Sequence, residues 1–597
     1  MRLVIVRLLL TLFLHKSMSS FKRNDLLNAG KGESDGSIVG EIMSHNLKAV
    51  ENDGTHNYGN VFREPENQNF PYTQGSVITF HLTSQKWHVD SFAQSFINAT
   101  LQCKVNFSAY PAITLGSSTI VDELAKHQYI WVGLKASSHA IRQYTVWFNN
   151  QEISTSQQTQ AVFEQFVYYA LKSKEQLQNK AYRYSDYDEI QKMDNSMVGF
   201  YVSLYDIISG QGTVTKTFPI VIAYEDLMPF ECFEVFPTAL FGQIKIQMIM
   251  TNEGFVWCPV DITKSIKNDY ERGLVDTTVI TSSVASEILS IIPSTVAYCK
   301  TFEQQGVAAK MSFITAVDST TYAPTITTYT DIVVSVSNVD VLSENTRTTI
   351  FGYMMTSAAM ERLRYNMSNG AVFAIIGQTG NVQQLQTAPT DSSLNSTRSA
   401  TFNHTTDVNL LFPTSAYSRT VFRNILARQF QLTIGDRQFP QQGDISTVSS
   451  EFYQMTMNAT DFSAIFPPND SFERSLTSPY VDDAGTRGTA IYEDTNFCPT
   501  FKLERPTYVN GSNVSFDGIN APSLNVRVNS VPIVSGDNPY GSGCPAPYLV
   551  CINEMYHIFR IVNGKPNYQY VVNHTYEEAL ANPSMDGYNQ SNISYIN

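Results

Sequence analysis

Arg142-Gln143-Tyr144-Thr145-Val146-Trp147-Phe148-Asn149-Asn150-Gln151-Glu152-Ile153 and Arg428-Gln429-Phe430-Gln431-Leu432-Thr433-Ile434-Gly435-Asp436-Arg437-Gln438-Phe439 read as one pattern written twice, 286 positions apart. In ungapped register Tyr144 falls on Phe430, Val146 on Leu432, Phe148 on Ile434 and Asn150 on Asp436, and further along Phe166 falls on Phe452. Each copy alternates apolar and polar residues and then runs into turn-forming residues, which marks a half-buried strand leading into a turn. Aromatic-rich strands can match by accident. Read as a duplication, however, the pair predicts two similar β domains in tandem.

Length and composition fit two domains. A chain of 597 residues exceeds what one hydrophobic core serves, so two units of about 250 residues each are expected. Apolar residues make up 43%, aromatics 12% and charged residues only 16%. So low a charged share, against roughly 25% in ordinary soluble domains, points to surface hidden by assembly or covered with Ser, Thr, Asn and Gln. The net charge of −14 makes the bulk of the chain a poor coat for phosphates and argues against nucleic-acid wrapping.

Seven cysteines (Cys103, Cys232, Cys258, Cys299, Cys498, Cys544 and Cys551) are few, odd in number and far apart, with no CxxC pair. That spacing argues against a disulfide framework or structural zinc and predicts reduced, buried thiols. Residues 3–14 (LVIVRLLLTLFL) point the other way, since they look like a signal-peptide core. Arg7 interrupts them, though, and His15-Lys16 follows directly. Two readings of residues 1–17 therefore stand: a signal-like leader, or sequence upstream of a true start at Met18. The stretch is too short for a transmembrane span. Twelve N-x-S/T sequons, from Asn98 and Asn106 to Asn589 and Asn592, add little, because a chain so rich in Asn, Ser and Thr generates most of them by chance.

Residues 1–72 are polar, Gly/Asn-rich and weakly periodic, and are expected to form a flexible arm. Strand patterns follow at 76–82, 129–134, 144–148 and 199–207, with a helical pattern inserted at 157–178. Residues 218–250 predict two strands around a proline-marked turn, and 290–330 is the best boundary. Beyond it, strands are expected at 328–339, 370–376, 429–434, 501–503, 524–528 and 556–561. Short strands between long polar loops predict antiparallel sandwiches or rolls.

Catalytic patterns are sparse. There is no HExxH, GxSxG or Walker A sequence, and Gly30-Lys31-Gly32 and Gly564-Lys565-Pro566 lack a phosphate-cradling loop. Gly210-Gln211-Gly212 lacks the rest of a dinucleotide fingerprint and is expected to close a hairpin. The ten histidines lack metal-ligand spacing. Asp482-Asp483 and Glu493-Asp494 read as solvated loop carboxylates rather than calcium ligands or an acid–base pair. No catalytic, cofactor-binding or metal-binding residue is expected, and no cofactor.

A family resemblance rests on a series of proline-bounded strands. The first half runs through Phe218-Pro219-Ile220-Val221-Ile222, Leu227-Met228-Pro229-Phe230, Phe236-Pro237 and Phe241-Gly242-Gln243-Ile244-Lys245-Ile246. The second runs through Leu411-Phe412-Pro413, Arg419-Thr420-Val421-Phe422-Arg423-Asn424, Phe501-Lys502-Leu503-Glu504-Arg505, Phe516-Asp517-Gly518-Ile519-Asn520 and Val526-Arg527-Val528. In order and spacing the series resembles the major capsid proteins of the Polinton/Maverick and adintovirus group, within the double jelly-roll lineage of virophage and adenovirus-type hexons. It spans roughly residues 75–570, and no single motif in it is specific.

The resemblance implies a mainly β chain of two tandem eight-stranded antiparallel jelly rolls, with a helical insertion and long loops. The corresponding domains are an arm at 1–72, a first roll at 73–310, a second at 311–575 and a tail at 576–597. It implies a non-enzymatic major capsid protein that forms pseudo-hexagonal homotrimers in the icosahedral virion of a double-stranded DNA virus or virus-like transposon. Assembly would take place in the host cytoplasm or nucleus. The implied partners are further copies of itself, a single jelly-roll penton protein and minor capsid proteins, with no sequence-specific nucleic acid and no membrane span. A secreted or cell-surface β-sandwich glycoprotein or adhesin is the alternative, and a glycan-processing β enzyme using loop carboxylates is a more distant one.

Overall fold

The computed structural model describes residues 58–571 apart from several internal stretches, the longest being 171–182, 287–301, 447–497 and 533–544. The first part of the chain carries β1 (Tyr58–Arg63), β2 (Val77–His81), β3 (Val89–Ser108), β4 (Tyr129–Leu134), β5 (Ile141–Phe148), β6 (Gln151–Ser156) and β7 (Gly199–Ser203). It continues with β8 (Thr213–Ala223), β9 (Val235–Phe236), β10 (Ile244–Met250), β11 (Phe255–Pro259), β12 (Phe302–Glu303), β13 (Ala309–Val317) and β14 (Pro324–Tyr353). The second part carries β15 (Phe373–Gln384), β16 (Leu394–Leu411), β17 (Ala427–Ile434), β18 (Arg437–Phe439), β19 (Ile445–Ser446) and β20 (Thr500–Lys502). After these come β21 (Thr507–Val509), β22 (Ser512–Val514), β23 (Ile519–Pro532), β24 (Tyr548–Val562) and β25 (Lys565–Val571). Among the described residues six helices interrupt them: α1 (Thr119–Lys126), α2 (Gln160–Ala170), α3 (Leu204–Ser209), α4 (Thr238–Phe241), α5 (Ile262–Glu271) and α6 (Ser357–Ser368). The fold is mainly β, and the strand pairings are antiparallel.

Alternation explains the first core. In β3, Ile97, Ala99, Leu101, Cys103, Val105 and Phe107 are all buried, and the residues between them are more exposed or polar. They face Tyr144, Val146 and Phe148 of β5 and Ile244, Ile246 and Met248 of β10 in one apolar cluster. One sheet runs β1-β14-β3-β8, and another runs β2-β10-β5-β6. Around the middle of β14 the buried valines are Val334 and Val336, then Val339 and Val341. The change of phase coincides with a bulge between Val336 and Asn338, whose extra residue returns the apolar side chains to the core face.

The repeated pattern of the sequence becomes a repeated piece of topology. β5 and β17 start and end at the same 286-residue offset, and each turns back into a short hairpin partner, β6 or β18. Phe148 pairs with Gln151 and Ile434 with Arg437, so both loops have two residues. Asn149 and Asn150 sit at φ 44° and 68°, and Gly435 at 59°, the left-handed backbone that two-residue hairpin loops need. On its other side each strand pairs with a later one, β10 or β23, which in turn pairs with an earlier one, β2 or β16. Two four-strand paths, β2-β10-β5-β6 and β16-β23-β17-β18, thus share one connectivity. Val146 and Phe148 are buried, as are their counterparts Leu432 and Ile434; the side chain of Phe430 lies outside the described residues.

Several expectations are revised. The strand expected at 199–207 stops at Ser203, because the Ser203 hydroxyl accepts a hydrogen bond from Asp206 N (3.0 Å) and starts α3, whose buried residues are Leu204 and Ile207. Gly210-Gln211-Gly212 therefore links a helix to β8 rather than closing a hairpin, with Gln211 and Gly212 at φ 52° and 82°. Residues 218–250 hold most of β8 and all of β10, but β9, α4 and two 3-10 turns lie between them. The segment 328–339, expected to open the second roll, belongs to β14 and pairs with β3 of the first sheet. The arm expected through residue 72 is ordered from Tyr58. β1 pairs with the end of β14, and Tyr72 is buried with its backbone bonded in both directions to Val341 (3.0 and 2.9 Å). Residues 1–57 and 576–597 lie outside the described residues.

A close approach of two glycines gives a direct test of sheet packing. Gly133 of β4 pairs with Gly199 of β7, and the buried Trp131 ring covers both. A Cβ on Gly133 would collide with the Val198 carbonyl, with Trp131 at 2.5 Å and with the Gly199 Cα at 2.7 Å. Gly133→Ala should cost about 1–3 kcal/mol of overpacking, read as a lower guanidinium midpoint. An unchanged midpoint would contradict this packing.

Candidate functional site: the seam between the halves and the outer aromatic face

Nearly every residue of α2 from Ala161 to Val167 is buried, including Glu164 and Gln165. A helix buried all round must have partners on every side. The Phe163 ring lies 4.4 Å from Tyr548 and the Phe166 ring 4.6 Å from Phe422, while Val382, Val550 and Ile552 of the second part complete the cluster. On the first-half side, Glu164 accepts a hydrogen bond from the Tyr144 hydroxyl (3.3 Å). Gly380 of β15 lets α2 come close, since a Cβ there would strike the Glu164 side chain. Next to α2 the two halves share one core. Phe559 lies 5.1 Å from both Phe148 and Phe236 and 5.6 Å from Phe241, and Phe373 lies 5.7 Å from Phe241. Edge and tilted ring pairs of this kind add to the energy of area burial. The halves are therefore packed into one body, with their relative orientation set by aromatic contacts.

Polar side chains buried in and around the seam are displaced from ordinary acid–base behaviour. His139 packs against the rings of Phe166 and Tyr169, and burial, helped by the Lys135 charge, lowers its pKa to about 3. On β24, His557 contacts the Tyr568 hydroxyl through Nδ1 (2.7 Å), and burial lowers its pKa to about 3 as well. Burial and then Glu164 raise the pKa of Tyr144. Cys103, Cys258, Cys498 and Cys551 are buried, and burial pushes the Cys498 and Cys551 thiols up to about 12. Cys232, Cys299 and Cys544 lie outside the described residues. A general acid or base works best near the operating pH, and a thiol attacks as thiolate; these environments hold the groups far from either condition.

Two ionic clusters join separate elements. Arg183 donates to Glu225 Oε1 (2.6 Å) and to Asp226 Oδ2 (2.6 Å), and the Tyr184 hydroxyl donates to Asp226 as well. Burial alone would lower the Arg183 pKa, but Asp226 and Glu225 raise it, so the guanidinium stays charged. His127 lies between Asp269 of α5 (2.7 Å) and Glu123 of α1 (3.4 Å), and the Tyr129 hydroxyl donates to Asp269 (2.9 Å). Each charge has partners on a neighbouring element, the condition under which a buried ion is tolerable.

No catalytic, cofactor or metal residue was expected, and no group of three or more His, Cys, Asp or Glu is placed to hold a metal among the described residues. Asp482-Asp483, Glu493-Asp494 and Gly30-Lys31-Gly32 lie outside the described residues. Gly564-Lys565-Pro566 is the turn and first strand residues of the β24–β25 hairpin, with Gly564 at φ 75°. No helix among the described residues is long and apolar enough to cross a membrane.

Sequence reading missed the outer face of β1. Tyr58 and Phe62 are about half exposed, point the same way from the strand and lie beside Phe351, Tyr353 and Phe96. The alternation in Tyr58-Gly59-Asn60-Val61-Phe62-Arg63 was the available signal.

No protein-family model matches the chain, and no curated protein matches it in sequence. Among solved structures it is similar to the PBCV-1 VP54 structure fitted into a reconstruction of the virophage Sputnik. There the identity is 8%, the match covers 87% of this chain and 97% of the other, and the TM-score is 0.42. It is similar to the Sputnik virophage structure at 12% identity over 90% and 94% of the two chains, with a TM-score of 0.43. Against the Faustovirus major capsid protein the identity is 8% over 91% and 98%, with a TM-score of 0.38. All three scores lie below 0.5.

Proposed function

We propose that this chain is a double jelly-roll major capsid protein, a shell component without catalytic activity. Its homotrimers form pseudo-hexagonal capsomers of an icosahedral double-stranded DNA virus or a virus-like transposon of the Polinton/Maverick kind. The observation that carries the reading is the repeated four-strand path, with its matching hairpin, in two halves packed through one aromatic seam. Two like units held rigidly side by side make a subunit with two similar wedges, and three such subunits around an axis make a six-sided tile. The domain division at 73–310 and 311–575 belongs to this proposal, with the qualification that β14 is shared with the first sheet. Partners are further copies of the chain, together with a penton protein and minor capsid proteins, and the site of action is the virion.

The sequons favour this reading over the secreted one. Asn98 and Asn106 lie within β3 between paired strands, the Asn106 side chain accepts from Thr213 (3.1 Å), and Asn395 accepts from Arg527 (2.9 Å). Mass photometry should find a species at three times 66.9 kDa, with a hexagonal outline in negative stain, and intact mass should show no added hexose. A lone monomer at micromolar concentration would sink the capsid reading, and occupied sequons on a cleaved chain would favour the glycoprotein.

A further inference from the structure

We propose that His139 is an acid-operated latch: a proton on its ring releases α2 from its place between the two halves. The proposal stands on the packing of α2 and does not depend on the capsid reading. No backbone hydrogen bond ties α2 to another element among the described residues, so side chains hold the helix in place. One support is the 3-10 turn Ser137–Ala140, whose four residues are all buried. From this turn the His139 ring lies 5.5 Å from Tyr169 and 6.3 Å from Phe166 of α2. Phe166 in turn meets Phe422, so His139 backs the ring pair that joins α2 to the second half.

The site has no place for a second cation. Lys135 is buried, and its ammonium already lies 5.6 Å over the same Phe166 ring. The carboxylates around α2 are engaged elsewhere. Glu164 accepts from Tyr144, Asp226 from Arg183 and Tyr184, and Glu225 from Arg183, while Glu253 lies 3.7 Å from Arg419. On β4 and β8, which also touch the turn, the titratable side chains are Tyr129, bonded to Asp269, and Lys216, paired with Asp206. No side chain hydrogen-bonds either ring nitrogen of His139. Burial, and then the Lys135 charge, oppose a proton on the ring and lower its pKa to about 3, against weaker support from the Gln165 backbone carbonyl of α2 and from Asp226. Release of α2 lets water reach the ring and restores the ordinary value of 6.5. A group whose pKa is lowered in the closed state contributes stability that is complete above 6.5 and is lost as pH falls. The released population therefore rises about 30-fold between pH 7.5 and pH 5, a factor set by the open-state value as long as the closed-state value lies below about 4.

Hydrogen–deuterium exchange of the full chain, corrected for the intrinsic pH dependence of exchange, tests the latch. Between pH 7.5 and pH 5 the protection of α2 amides should fall about 30-fold, with β3 amides the better protected at both values. His139→Gln, which has no charge to gain, should abolish the fall. His557→Gln should leave it unchanged, because a local release of α2 depends on one histidine and global unfolding on both. The inference is overturned if α2 and β3 exchange together, if α2 protection is the same at both pH values, if His139→Gln keeps the fall, or if His557→Gln removes it. Should His139→Gln fail to fold, the comparison of α2 with β3 and the His557→Gln variant decide by themselves.

Discussion

Phe559→Ala should lower the unfolding free energy by about 3–5 kcal/mol, the cost of an unfilled aromatic cavity in a core that cannot collapse around it. Phe559 is fully buried, and its ring meets Phe148, Phe236 and Phe241 from the first half and Phe373 and Tyr568 from the second. The void would therefore open at the seam and loosen the coupling between the halves. In guanidinium titrations the transition should move to lower denaturant, and the first-half transition followed by the fluorescence of Trp87, Trp131, Trp147 and Trp257 should cease to coincide with the whole-chain transition followed by far-UV circular dichroism. Phe559→Leu, which keeps most of the volume, should lose clearly less. A Phe559→Ala midpoint within error of the unmodified protein would mean that this aromatic cluster does not hold the halves together.

Acid should destabilise the protein through His139 and His557. Both fold as neutral rings with pKa values lowered from 6.5 to about 3 by burial. A group whose folded pKa is depressed contributes stability that is complete above the unfolded value and is lost as pH falls toward the folded one. The window is therefore pH 6.5 down to about 3. Each histidine removes about 1.4 kcal/mol per pH unit inside it, so the pair removes up to about 4 kcal/mol by pH 5. Both sit beside seam contacts, His139 under Phe166 of α2 and His557 where Gly377 of β15 passes Pro229. Melting temperature against pH should fall with a slope that His557→Gln reduces by about half, while the value at pH 7.5 changes little in its pH sensitivity. A pH-independent melting temperature between 7 and 5 would show that these rings are solvated.

Strand positions were legible where the information is local. The pattern at 129–134 is β4 with the same bounds, and the two quoted runs cover β5 with the start of β6, and β17 with β18. Alternation and turn residues are properties of neighbours in sequence, so a single sequence suffices to show them. The long strand β3 was overlooked even though Ile97 to Phe107 alternate without a break, because Gln, Lys and Asn between the apolar positions made the stretch look polar on average. The helical pattern at 157–178 pointed to α2 but not to its place. A helix apolar on all sides states only that it is buried, not between which sheets.

By itself, the sequence determined that this is a mainly β chain and that one strand–turn unit occurs twice. Those features arise from period-two alternation and from residues such as Asn149, Asn150 and Gly435 that accept left-handed backbone. Only the tertiary structure decided that β14 lies along β3, that β1 closes the edge of that sheet, and that Phe148 meets Phe559 across the seam. Strand pairing depends on loop closure over hundreds of residues and on the sum of many weak contacts, neither of which leaves a mark at any one position. The same holds for chemistry. His139 and His557 are buried more deeply than His81 and His88, and it is packing by residues distant in sequence that removes water from them.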